Sequence, residues 1–269
     1  MGKFNGILLA SDFDDTLYDL TLHIPERNLE ALRYFIGEGG YFSIATGRAH
    51  RTFAPHAASI PMNAPAVLSN GAAIYDFQAD RMLEQNLLPD TAPADLAAVM
   101  ERFPSLSLEV YHGEDIYVCN PNEITFAHLK KVNCDYTRCP VPDMPVPWVK
   151  GIFHQEREIL LSVQSWMLEH YGDRYEAIFS NPRYLELTCR GSSKGGGVDR
   201  VARLLGVAPD HVYCVGDNQN DIPMLALSAV PFAPENCARE VRDWGARILC
   251  HCNDGVIGDI VEILDRLYP

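Results

Sequence analysis

Three carboxylates stand close together near the start of the chain: Asp12, Asp14 and Asp15, in the string Ser11-Asp12-Phe13-Asp14-Asp15-Thr16-Leu17. They follow the apolar run Ile7-Leu8-Leu9-Ala10, which predicts a parallel strand buried on both faces. Open α/β sheets bind their ligands in the crevice outside the carboxyl ends of such strands. Carboxylates massed there repel one another unless a cation neutralises them. Hard oxygen donors suit Mg2+, which takes one or two carboxylates and completes its shell with water or substrate phosphate. Metal-assisted chemistry on a phosphate is therefore the expectation.

Two further apolar strands end in polar clusters. Tyr41-Phe42-Ser43-Ile44-Ala45 leads into Thr46-Gly47-Arg48, and His211-Val212-Tyr213-Cys214-Val215 leads into Gly216-Asp217-Asn218-Gln219-Asn220-Asp221. A hydroxyl and an accessible glycine N–H suit phosphate oxygens. Asp217 follows its strand much as Asp12 follows its own. Asp221 has the residue type of a helix cap. Lys194, in Ser192-Ser193-Lys194-Gly195-Gly196-Gly197, stands just before a helical pattern and adds its charge to the positive end of that helix, making an anion site. A parallel sheet brings strand carboxyl ends to one edge, so clusters about two hundred residues apart in sequence can converge.

The elements needed to position these groups are legible. Helical periodicity covers Pro25 to Gly39, with Leu29, Leu32, Phe35 and Ile36 on one face and Gly39-Gly40 as the stop. Ala66 to Leu68 is a short strand ending in the turn string Ser69-Asn70-Gly71, and Ala72 to Asp76 with Met82 to Leu87 reads as a hairpin. Then the texture changes: prolines punctuate short helices and strands until about Cys189, after which strand–helix alternation resumes. The expected fold class is α/β, a Rossmann-like parallel-sheet core (1–81 and 190–269) with an inserted α+β domain (82–189).

The chain has 269 residues, 47% hydrophobic and 22% charged, with a formal net charge of −14. That negative charge argues against nucleic acid or an anionic membrane as partner, and an anionic substrate must be met by local cations. No apolar run has the length of a membrane span, and the opening Met-Gly-Lys-Phe-Asn lacks a signal-peptide apolar core. Eight scattered cysteines fit reduced thiols, which points to the cytoplasm. Neither Cys134-x4-Cys139 nor Cys250-His251-Cys252 has the usual paired-ligand spacing, so a zinc knuckle is not expected.

Taken in order, Asp12-x-Asp14-x-Thr16-Leu17, Thr46, Lys194 and Gly216-Asp217-x-x-Asn220-Asp221 resemble the four motifs of the haloacid dehalogenase-like (HAD) phosphatases. Ala45-Thr46-Gly47-Arg48, Ser69-Asn70-Gly71-Ala72 and the position of the insertion are similar to the Cof-type branch with its C2-type cap. The resemblance spans essentially the whole chain. It departs at Asp15, where the family usually has glycine.

The resemblance implies a phosphoric monoester hydrolase acting on a small phosphorylated metabolite, sugar phosphates being the favoured class. Asp12 would be the nucleophile that forms an aspartyl-phosphate, and Asp14 the general acid and base. Mg2+ would be held by Asp12, the Asp14 carbonyl and Asp217. Phe13 N–H, Thr46, Gly47, Lys194 and Asn220 would hold phosphoryl oxygens, and Asp221 would orient the loop and Lys194. Residues 82–189 would be the mobile cap, and the chain a monomer or weak homo-oligomer. Alternatives are a hexose phosphomutase or phosphotransferase, a signalling phospho-acceptor and a non-catalytic phosphometabolite sensor. The phospho-acceptor is disfavoured because Thr46 and Lys194 flank a whole inserted domain.

Overall fold

The computed structural model describes residues 2–269. In chain order its strands are β1 (Leu8–Ser11), β2 (Tyr41–Ile44), β3 (Ala66–Leu68), β4 (Ala73–Asp76), β5 (Arg81–Gln85), β6 (Ser107–His112) and β7 (Asp115–Cys119). There follow β8 (Thr137–Arg138), β9 (Lys150–His154), β10 (Tyr175–Asn181), β11 (Tyr184–Cys189), β12 (Val212–Val215), β13 (Pro231–Ala233) and β14 (Arg247–Ile248). The chain forms two compact units. One takes the chain up to Gly47, with Ala54–Glu84 and Ser193–Pro269; the other takes Arg48–Phe53 and Gln85–Ser192. Among the described residues no helix is long and apolar enough to cross a membrane.

The first unit is built on a five-stranded sheet in the order β14-β13-β12-β1-β2, every pairing parallel. Central β1 is buried along its length, as a continuous apolar run requires. Leu8 and Ala10 share a core with Val212 and Cys214 of β12 and with Val198, Val201 and Ala202 of the helix Lys194–Leu205. The helices Glu26–Gly37 and Val256–Leu267 pack on each other. Strands β3, β4 and β5 form a separate sheet, tied to the end of β2 by an isolated parallel bridge between Ala45 and Val67.

Gly195, Gly196 and Gly197 lie inside the helix Lys194–Leu205 and not ahead of it. Lys194 is the first residue of its helix, not the residue before it, and the Ser193 hydroxyl caps the turn by accepting from Gly196 N at 3.1 Å. A Cβ on Gly195 would strike the Pro223 carbonyl, and one on Gly197 the Val67 side chain. Close packing, not flexibility, demands glycine there.

The second unit holds a six-stranded sheet in the order β10-β11-β9-β6-β7-β8, antiparallel except where β7 pairs parallel with the short β8. Leu108, Val110, Phe153, Leu185 and Leu187 line one face, with the helices Ala92–Arg102 and Arg157–Tyr171 supplying Leu96, Val99, Leu160, Val163 and Met167. The alternate positions form the opposite face. Glu109, Tyr111, Lys150, His154 and Glu186 are all buried there. The helix Glu123–Val132 lies against this polar face: Thr125 Oγ1 donates to Ser107 Oγ at 2.6 Å, and His128 Nδ1 lies 3.1 Å from Glu109 Oε2. Thr125 and His128 are three apart and so share a helix face.

Candidate active site

The register of the first sheet brings the motifs together. Ser11 of β1 aligns with Val215 of β12 and with Ile44 of β2. The residues just beyond these strands, Asp12, Gly216-Asp217 and Ala45-Thr46, therefore leave the sheet at one edge. Asp12 N donates to the Val215 carbonyl at 2.9 Å, which carries the ladder one step further. Parallel pairing thus collects groups that are far apart in the chain.

Lys194 is the hub. Its buried Nζ donates to Asp12 Oδ1 at 2.5 Å and to Asp221 Oδ1 at 2.6 Å. The other oxygen of Asp221, Oδ2, accepts from the backbone N–H of Asp217 and of Asn218, each at 2.9 Å. Asp221 therefore fixes both the loop and the lysine. Gly216 makes room for it, since a Cβ there would meet the Asp221 carboxylate. Thr16 Oγ1 donates to Asp217 Oδ1 at 3.3 Å. Carboxylate oxygens of Asp12, Asp217 and Asp221 all lie within 4.8 Å of one another.

The electrostatics follow from burial. Desolvation pushes Asp12 up to about 7, with Asp221 and Asp14 adding to the rise and Lys194 opposing it. Desolvation and the charges of Asp12, Asp221 and Asp15 drive Asp217 well above the carboxylate range. Lys194 is held above its ordinary value because Asp12 and Asp221 outweigh its own burial. Three carboxylates share the charge of Lys194, so the cluster is short of positive charge, and this donor set fits a hard divalent cation.

Thr46 and Asn220 are buried beside this edge. Asn70, whose φ of 51° is left-handed, accepts at Oδ1 from Asn220 Nδ2 at 3.0 Å. Asn220 Oδ1 is buried with no hydrogen-bond partner among the described residues, an acceptor that a cation or an added donor would satisfy. Asp15 has a φ of 60°, the left-handed conformation that glycine adopts without strain. Its carbonyl accepts from Asn236 Nδ2 at 2.8 Å. Sequence reasoning missed Asn236 and saw Asn70 only as part of a turn; the turn string was the signal for the latter, and nothing local marks the former. Arg48 Nη1 donates to the Thr52 carbonyl at 3.1 Å, and Arg183 Nη1 lies 3.9 Å from Glu156 Oε1.

A family model for haloacid dehalogenase-like hydrolases matches residues 9–260, and the chain belongs to that family. The enzyme is a phosphoric monoester hydrolase, as the family and relatives named as phosphatases indicate. A putative phosphatase of Buchnera aphidicola subsp. Acyrthosiphon pisum is 25% identical over 232 residues, 85% of either chain. The HMP-PP phosphatase of Serratia proteamaculans is 26% identical over 258 residues, covering 95% of this chain and 94% of that one. Among solved structures, a HAD subclass IIB sugar phosphatase superposes with a TM-score of 0.85 at 20% identity, covering 96% of this chain and 99% of that one.

Proposed function

We propose that the chain is a Mg2+-dependent phosphatase that hydrolyses small phosphorylated metabolites, sugar phosphates foremost, in the cytoplasm through an aspartyl-phosphate. The observation that carries this reading is the buried Lys194 ammonium bridging Asp12 and Asp221, with Asp217 alongside. A sugar phosphatase among the structural neighbours supports the substrate class.

In this mechanism an Asp12 oxygen attacks phosphorus, the bond to the leaving alkoxide breaks, and Asp14 supplies the proton that alkoxide needs. Asp14 then takes a proton from the water that opens the acyl phosphate. Lys194 neutralises charge on Asp12 and on the arriving phosphoryl oxygens, while Asp221 keeps its ammonium aimed. Phe13 N–H, Thr46, Gly47 and Asn220 hold the remaining oxygens. Asp12, Asp217 and the Asp14 carbonyl would hold the Mg2+, which screens the carboxylate from the phosphate and stabilises the transition-state charge. The second unit supplies substrate selectivity.

The test is phosphate release from a panel of phosphorylated metabolites, with Mg2+ or with EDTA, for wild type and Asp12→Asn. Turnover that needs Mg2+ and disappears in the variant is expected. Absence of release from folded wild type, with phosphoryl groups passed between sugar hydroxyls instead, would replace the phosphatase with the phosphomutase.

A further inference from the structure

The phosphatase reading leaves one cluster of ligating side chains unused. It lies wholly within the second unit. Glu109 comes from β6, His154 from β9 and His128 from the helix Glu123–Val132. His128 Nδ1 and His154 Nε2 each lie 3.1 Å from the same oxygen, Glu109 Oε2, and one donor atom from each residue falls within 4.8 Å of the other two. The Glu109 and His154 side chains are fully buried and that of His128 is 11% exposed.

We propose that Glu109, His128 and His154 form a second metal site, distinct from the aspartate cluster, that takes a late first-row divalent cation such as Zn2+. Two imidazoles and one carboxylate are the donor set such ions favour over Mg2+. With Zn–N and Zn–O bonds of about 2.0–2.2 Å, ligand atoms around one ion stand roughly 3–3.5 Å apart. The two 3.1 Å separations already have that spacing.

The surroundings are also those of a supported site. The second oxygen of Glu109 accepts from Tyr111 OH at 2.6 Å, which fixes the carboxylate plane as outer hydrogen bonds do around bound metals. The His154 ring lies 5.2 Å from that of His128 and 5.0 Å from that of Tyr184, an aromatic wall that restricts its rotation. His154 Nδ1 is buried and has no hydrogen-bond partner among the described residues. That nitrogen is on the other side of the ring from Nε2, so it is not one of the atoms that would ligate the ion. A cation held by three separate elements would fasten the helix Glu123–Val132 to the sheet.

The site is tested with Co2+ as the spectroscopic probe and Zn2+ as competitor, on full-length protein stripped with EDTA. Asp217→Asn serves as background and Mg2+ is in excess, so that binding at the aspartate cluster does not contribute. One Co2+ per chain is expected, with intense visible absorption of low-coordinate nitrogen ligation, displaced by Zn2+. His128→Gln, at the most exposed of the three positions, is expected to weaken binding at least about tenfold. Zn2+ should raise the thermal midpoint of the background protein and not that of the His128→Gln form. No Co2+ bound, or binding unchanged by His128→Gln and by His154→Gln, overturns the proposal. The readouts are independent of phosphate release, so this site and the phosphatase reading fail separately.

Discussion

Without a divalent cation, the aspartate cluster should destabilise the protein as pH rises, and the structure sets the size of the effect. Asp12 moves from an ordinary carboxyl value of 3.8 to about 7 on burial. Between those values the native state holds more protons on Asp12 than the unfolded chain does, so stability falls as pH rises through the window. At about 1.36 kcal/mol per pKa unit, ionising Asp12 in the metal-free native state costs about 4 kcal/mol by pH 7.

Carboxyls with lowered values, such as Asp19, Asp259 and Asp265, act in the opposite sense at the acid end, so the informative quantity is a difference between two proteins. Asp12→Asn removes the titration and leaves Asp221 to hold Lys194. In urea unfolding with EDTA, the variant should match wild type near pH 4 and exceed it by about 4 kcal/mol near pH 7. Added Mg2+ should close that gap by stabilising wild type more than the variant. A variant no more stable than wild type at pH 7 in EDTA would refute the reasoning, since Lys194 would then compensate Asp12 fully.

Gly216→Ala should drive the Asp221 carboxylate off its two backbone N–H groups and Lys194; a loss of about 1–3 kcal/mol in urea unfolding is expected, with a fall in kcat larger than any change in KM. In the second unit Lys150 Nζ bonds Glu186 Oε2 at 3.0 Å and sits 4.7 Å from the Tyr111 ring centre. Lys150→Met should therefore cost about 3–5 kcal/mol, and Lys150→Met with Glu186→Leu much less, as unfolding of the two variants would show. Asp15→Gly relieves a left-handed aspartate and removes a charge that raises Asp217. Its metal-free form should be at least as stable as wild type by calorimetry at pH 7.

Much of this enzyme is written in local sequence. An apolar run followed by acids identifies a buried strand and its functional end, because burial on both faces leaves no alternation to obscure it. Lys194 and Asp221 could be named from the motifs, but not that one ammonium would bridge Asp221 and Asp12. That depends on the alignment of Ser11 with Val215, a pairing across two hundred residues. The need for glycine at 195 and 197 is invisible in sequence because what they make room for, Pro223 and Val67, comes from elsewhere in the chain. Likewise nothing near Glu109, His128 or His154 marks them as a set. Strand alternation hides polar residues on a face that only tertiary packing buries, and a helix laid across that face completes the cluster. The sequence by itself determined the family and the strands that carry its motifs, since both are local patterns. Sheet register and helix packing alone decided which charges meet, because a contact between distant residues has no local signature.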